Sequence, residues 1–299
     1  MGFYKRSKNG QENKNGYLTK DDRSKKNSKP KSSENYQDHE NYENMTPKWI
    51  QYLYNRGLGD GEIEYFGLRP AKIIYSDPMP TEQTMDFEFH ECLDNTANGW
   101  MYPIYYPDSK QTLYRFKYFP GTESTMKVVS PKRAKLPGGV HPPFYVPSPE
   151  GLENLRSAVE HADGELILFE GEPDVWATAV LGVMNISAFF GTNSVPKNIA
   201  KYLEWLGVRK VTYIADADNA GRAAAQKIWD TLYFSLIETK IYYTPSQYNG
   251  IEINDTNDLL KAINFDIYSF REYYDETLTK NVYTFPEPNR HKREGAGGN

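Results

Sequence analysis

Two stretches constrain this chain more than any other. Leu166-Ile167-Leu168-Phe169 runs straight into Glu170-Gly171-Glu172-Pro173-Asp174, and Val211-Thr212-Tyr213-Ile214-Ala215 runs into Asp216-Ala217-Asp218-Asn219-Ala220-Gly221-Arg222. Each is an apolar run of strand length that ends in carboxylates and gives way to a helical pattern. An α/β sheet does this. Its parallel strands are buried on both faces, and the residues just past each strand sit at its carboxyl end, where open sheets bind ligands.

The surrounding segments extend the pattern. Gly151 to Ala162 read as a helix, with Leu152, Leu155, Ala158 and Val159 at the apolar positions. Val175 to Leu181 read as a helix, Met184 to Phe190 as a strand, and Gly191-Thr192-Asn193-Ser194 as a turn. Ile199 to Leu206 form the next helix. Gly221 to Leu236 form another, with Ala223, Ala224, Ile228, Leu232 and Leu236 on its apolar side, and Lys240 to Thr244 a further strand. The order β-α-β-α-β-α-β predicts a parallel sheet with helices on both faces.

Upstream the pattern changes. Thr46-Pro47 opens a short helix carrying Trp49, Ile50, Leu53 and Tyr54, and Gly57 stops it; a second, Gly61 to Phe66, stops at Gly67-Leu68. From Ile73 to about Val146 the chain is β-rich. Met85 to Phe89 and Leu113 to Phe119 alternate apolar with polar, and Arg115 and Lys117 share one face. Further cations stand at Lys127, Lys132, Arg133 and Lys135, a surface suited to phosphate or nucleic acid, or else a solvated strand face and loop.

Carboxylates at Glu170, Asp216 and Asp218 converge in one crevice in this scheme. Asp216 and Asp218 are two apart, so both project to one side of an extended segment. Crowded acids repel one another unless a cation intervenes, and oxygen ligands suit Mg2+ or Mn2+. A fourth acid, Asp255 or Asp258 in Asn254-Asp255-Thr256-Asn257-Asp258, lies beyond a later strand, where it is placed to hold a second ion. Asp174 and Asp218 are also plausible helix caps.

Composition sets the outer limits. The chain has 299 residues, 38% hydrophobic and 25% charged, with a formal charge of -5. The first 31 residues hold ten Lys or Arg against three acids, so residues 1–44 are expected to form a disordered basic arm on an acidic body. The single cysteine, Cys92, and five histidines exclude a Cys-rich zinc site. Neither a signal peptide nor a membrane-spanning run is visible, so a cytoplasmic location is expected.

The motifs resemble a known family. Glu170-Gly171-Glu172-Pro173-Asp174 resembles the E-G-x-x-D signature of the TOPRIM domain, and Asp216 to Arg222 its D-x-D-x-A-G-R segment. With Gly221-Arg222-Ala223-Ala224, Phe190-Gly191-Thr192 and Asn254 to Asp258, the set resembles DnaG-type primases and phage primase-helicases. Arg56-Gly57-Leu58, Phe66-Gly67-Leu68, Met101-Tyr102-Pro103-Ile104 and Lys127-Val128-Val129-Ser130-Pro131 extend the likeness upstream, to about residues 47 to 265.

The resemblance implies an α/β fold: a TOPRIM domain with a parallel sheet flanked by helices at 151–284, preceded by a smaller α+β primase-core subdomain at 45–150, with a flexible tail at 285–299. It implies catalysis by Glu170, Asp216 and Asp218, metal ligation by these and Asp255, and nucleotide or template contact by Arg115, Lys117 and Lys127. The implied activity is that of a DNA primase: template-directed synthesis of short RNA primers on single-stranded DNA from ribonucleoside triphosphates, with Mg2+ or Mn2+ and no zinc. A separate replicative helicase is the expected partner, in a bacterial cell or phage-infected host. Family primases carry a zinc-binding module, and helicase domains are fused in the phage forms; this chain is expected to be a stand-alone core. A metal-dependent TOPRIM nuclease and a catalytically weak single-stranded-DNA-binding module are the alternatives.

Overall fold

The computed structural model describes residues 48–75, 87–92, 96–122, 128–191, 194–216 and 218–272. The basic arm at 1–44, the Thr46-Pro47 helix start, Lys127 and the tail from 285 lie outside them.

The chain opens with two short helices, α1 (Lys48–Tyr54) and α2 (Asp60–Tyr65). Both stop by the same device. Gly57 takes φ 81° and Gly67 φ 61°. The next amide then closes back on the helix, Leu58 N donating to Leu53 O (3.2 Å) and Leu68 N to Ile63 O (3.0 Å). This is the Schellman closure, which favours glycine because it has no Cβ to clash in the left-handed region. Leu58 and Leu68 are both buried, so Arg-Gly-Leu and Phe-Gly-Leu are twin helix stops with an apolar anchor.

Next in the chain is an antiparallel sheet, built from β1 (Arg69–Tyr75), β2 (Phe87–Glu91), β3 (Gly99–Tyr106), β4 (Gln111–Tyr118) and β5 (Val128–Val129) in the order β2-β1-β3-β4-β5. On β3 the alternate residues Trp100, Tyr102 and Ile104 are fully buried. Their partners across β4 are Lys117, Arg115 and Leu113. Directly opposed residues share a face, so both cations look inward with the aromatic row.

The second half is a parallel sheet. It comprises α3 (Pro149–His161), β6 (Glu165–Phe169), α4 (Glu172–Ala179), β7 (Ile186–Ala188), α5 (Ile199–Trp205), β8 (Lys210–Ala215), α6 (Asn219–Leu232) and β9 (Glu238–Tyr243). The order is β7-β6-β8-β9, with every pairing parallel. A small ribbon, β10 (Gln247–Tyr248) and β11 (Ile251–Glu252), leads to α7 (Thr256–Ala262) and α8 (Ile267–Glu272). The expected α/β architecture is therefore the observed one.

Several boundaries differ from the periodicity. The α4 helix begins at Glu172 rather than Val175, because Pro173 fits the first turn and two acids there complement the helix dipole. The α6 helix stops at Leu232, short of Leu236, which is 97% exposed. Ser235 is the cause: its hydroxyl donates to Leu232 O (2.6 Å) and accepts from Ile237 N (3.2 Å), competing with the helical ladder. Ile237 is buried instead, and Ala223, expected on the apolar side, is exposed.

The two sheets share one core. Leu53, Trp100, Tyr102 and Ile104 from the first half belong to the same apolar cluster as Ile167, Phe169, Trp176 and Leu260 from the second. The other face of the parallel sheet, with Leu166, Leu168, Val211 and Tyr213, packs on α3, α5 and α6. Tyr145 stitches the seam: its N donates to Ala188 O (2.8 Å), its O accepts from Ser187 Oγ (2.8 Å), and its hydroxyl accepts from Trp176 Nε1 (3.1 Å).

A buried ion pair crosses the same seam. Arg115 of β4 (6% exposed) meets Glu172 of α4 (3% exposed), Tyr102 OH donates to Glu172 Oε1 (3.2 Å), and Arg115 Nε donates to Ser130 Oγ (3.0 Å). The guanidinium also lies 5.1 Å from the centre of the Phe190 ring, on which His141 stacks at 5.3 Å. Burial, reinforced by the Arg115 charge, pushes His141 down from 6.5 to about 4. The unfolded chain then takes up a proton that the native state refuses. Stability is full above pH ~6.5 and falls as the pH drops toward 4, by of order 3 kcal/mol from this residue alone. Urea unfolding at pH 7 and pH 4.5 is expected to show a smaller acid loss in His141→Gln than in the parent.

Candidate active site

The β6 strand is buried throughout and ends at Glu170. Gly171 then caps α4, and Asp174 sits in the first helical turn, buried. The β8 strand lies beside β6 and ends at Ala215, and Asp216, the next residue, is half-buried. Asp218 is exposed and caps α6, its Oδ1 accepting from Gly221 N (2.7 Å). Gly221 is needed because α6 starts hard against the strand end: a Cβ there would strike the Asp216 carbonyl oxygen and lie 2.9 Å from its carbon. Asp255 caps α7, Oδ1 accepting from Asp258 N (2.8 Å), while Asp258 Oδ2 accepts from Asn254 N (3.2 Å).

The acids divide into two groups that sense each other. Burial and then the Asp218 charge raise Glu170 above the usual carboxylate range. Asp174 is pushed up much further, first by burial, then by Asp216 and Asp255; Arg56 and Lys117 oppose this. Glu170 and Asp216 directly follow the neighbouring strands β6 and β8, Asp218 and Asp255 cap α6 and α7, and Asp174, in the first turn of α4, is more buried than any of them. Asp174 was legible only as a helix cap and as the last letter of E-G-x-x-D.

The expected cations are placed differently from one another. Lys117 is half-buried on β4, and its charge opposes the upward shift of Asp174. Arg115 is a correction. It was expected to lie on a phosphate-facing surface, but the β3–β4 register turns it into the seam, where Glu172 takes up its charge. Arg56, which follows α1 in the first helix stop, also opposes the upward shift of Asp174. Its guanidinium lies 4.9 Å from the centre of the Tyr52 ring, and its Nε is buried without a hydrogen-bond partner.

The donor set suits a hard cation: carboxylate oxygens, mutually repelling, with Glu170 Oε2 and both amide atoms of the fully buried Asn257 lacking hydrogen-bond partners. Among the described residues, no three His, Cys, Asp or Glu side chains are gathered as a group able to hold a metal ion.

Residues 167–260 match the family model for Toprim-like domains. The likeness of the whole runs wider. A DNA primase domain from Pseudomonas aeruginosa is 20% identical, with a TM-score of 0.54 over 76% of this chain and 70% of that one. The zinc-binding and RNA polymerase domains of the Aquifex aeolicus primase align at 18% identity and a TM-score of 0.56, over 78% and 56%. The E. coli primase catalytic core aligns at 18% identity and a TM-score of 0.50, over 83% and 82%. No curated protein matches the chain by sequence. The chain therefore has the fold of a DnaG-type primase core around its Toprim-like domain. No helix among the described residues is long and apolar enough to cross a membrane.

Proposed function

We propose that this protein is a primase-like nucleotidyltransferase that joins ribonucleoside triphosphates on a single-stranded DNA template. What supports this reading is the fold, which is that of a primase core, together with two acids, Glu170 and Asp216, directly after the neighbouring parallel strands β6 and β8. A triphosphate bound with a divalent cation would be complementary to these acids and to the cations of Arg56 and Lys117.

In the proposed reaction the 3′-hydroxyl of one ribonucleotide attacks the α-phosphate of the next. A phosphodiester bond forms, the bond to the β-phosphate breaks, and pyrophosphate leaves. Glu170, Asp216 and Asp255 would hold Mg2+ or Mn2+, with Asp174 beside them and Asp218 near Glu170; the bound cation supplies charge neutralisation and lowers the pKa of the attacking hydroxyl. Arg56 and Lys117 bind the phosphates and orient them in line. Burial pushes the Asp174 carboxyl well above the usual carboxylate range, and a bound cation would oppose that shift. The reading implies a cytoplasmic protein of a bacterial or phage-infected cell, working with a separate helicase that exposes the template.

The test is a template-directed dinucleotide assay with labelled single-stranded DNA, Mg2+ and ribonucleoside triphosphates. Nucleotide-dependent extension products are expected. Shortening of the DNA without nucleotides points instead to a nuclease, and binding with neither product points to a non-catalytic module; either result refutes the proposal.

A further inference from the structure

The end of α7 departs from the glycine stops that close α1, α2 and α3. At the end of α3, Asp163 and Gly164 both take left-handed φ, 54° and 79°, and Gly164 N closes on Val159 O (2.9 Å). At the end of α7, Asn264 and Phe265 do the same, φ 52° and 51°, with Phe265 N closing on Leu260 O (2.8 Å). The backbone device is identical, but a phenylalanine stands where glycine fits. A bulky residue there costs about 1–2 kcal/mol, and such outliers persist only where their surroundings fix them.

The first helix stop is what fixes Phe265. Its ring covers Gly57 so closely that a Cβ on Gly57 would lie 2.6 Å from Cε1, 2.7 Å from Cζ and 2.9 Å from Cδ1. Gly57 directly follows Arg56. The α7 helix that Phe265 terminates begins at Asp255. One ring thus ties the helix capped by Asp255 to the turn that follows Arg56. The guanidinium of Arg56 is also held, over the Tyr52 ring.

We propose that Phe265 is a positioning residue: its ring, clamped on Gly57, holds the Arg56 guanidinium in place for the triphosphate of an incoming nucleotide. This rests on the nucleotidyltransferase reading above. Without the ring, the Arg56-Gly57 turn is free to move relative to Asp255.

The experiment uses the full chain and magnesium ATP as the probe, with affinity measured by calorimetry. Phe265→Ala and Phe265→Gly are expected to weaken ATP binding about tenfold or more, since small misplacements of a positioning group have large effects. Glycine relieves the backbone strain, so Phe265→Gly separates loss of the ring from loss of stability. Phe265→Tyr keeps the ring and is expected to bind as the parent does. In a double-mutant cycle, adding Phe265→Gly to Arg56→Ala is expected to cost nothing more. Parent-like affinity in Phe265→Gly, additive effects in the cycle, or a parent that binds no ATP would each overturn the proposal. Dinucleotide synthesis is followed on the same samples. Products without any Phe265 dependence of affinity overturn the positioning role alone. A Phe265-dependent affinity in a parent that makes no products overturns the nucleotidyltransferase reading alone.

Discussion

Asp216→Ala is expected to reduce Mg2+-dependent dinucleotide synthesis by about 100-fold or more, the scale on which a site loses a group that stabilises transition-state charge. The fold should survive. Asp216 lies past the end of β8, so truncation leaves the strand ladder and the α6 cap at Asp218 intact. Asp174→Asn sharpens the test, because it acts on stability and activity in opposite directions. The native state holds Asp174 protonated where the unfolded chain releases the proton, so ionising it opposes folding as the pH rises from about 4. The amide removes that burden. The metal-free variant should therefore melt higher than the parent at neutral pH while making no product. Parent-like synthesis by Asp216→Ala would remove the crevice from the mechanism.

Glu172→Gln is the second large effect, and it concerns folding rather than chemistry. The substitution leaves Arg115 as a buried cation with no counter-charge, a loss of about 3–5 kcal/mol. Tyr102 keeps an acceptor, so the loss is one of charge more than of hydrogen bonding. Urea denaturation should show the shift in midpoint. The double variant Arg115→Met/Glu172→Leu should recover much of the loss, since an apolar pair of similar volume needs no desolvation of charge. A Glu172→Gln protein as stable as the parent would mean that the pair contributes nothing to the seam.

Much of this was legible in the sequence because the parallel strands are buried on both faces and must be apolar. Leu166 to Phe169 and Val211 to Ala215 had no other sensible reading, and the acids that succeed them fell where strand ends place them. The helix stops at Gly57 and Gly67 were equally plain. The features that the sequence hid were facts of pairing. Arg115 and Lys117 share a face by alternation, but only the β3 partners Tyr102 and Trp100 show that this face is the inner one. Nothing local to Glu172 distinguishes it from Glu170, yet one is buried against Arg115 and the other borders the crevice. Ser235 ended α6 early through a side-chain bond that no apolar periodicity registers. Phe265 carried no signal at all, because its significance lies in a contact with Gly57, distant in sequence.

The shared core has a consequence for how this protein can be taken apart. A Toprim-like segment invites treatment as a cassette, but here its strand ends are finished by its neighbour. A cut near residue 147 would strip Tyr145 from Trp176 and Ser187, leave Glu172 without Arg115, and expose Ile167 and Phe169 to water. The shared apolar cluster and the Arg115–Glu172 pair both span that cut, so the smallest unit expected to keep this packing is the two halves together.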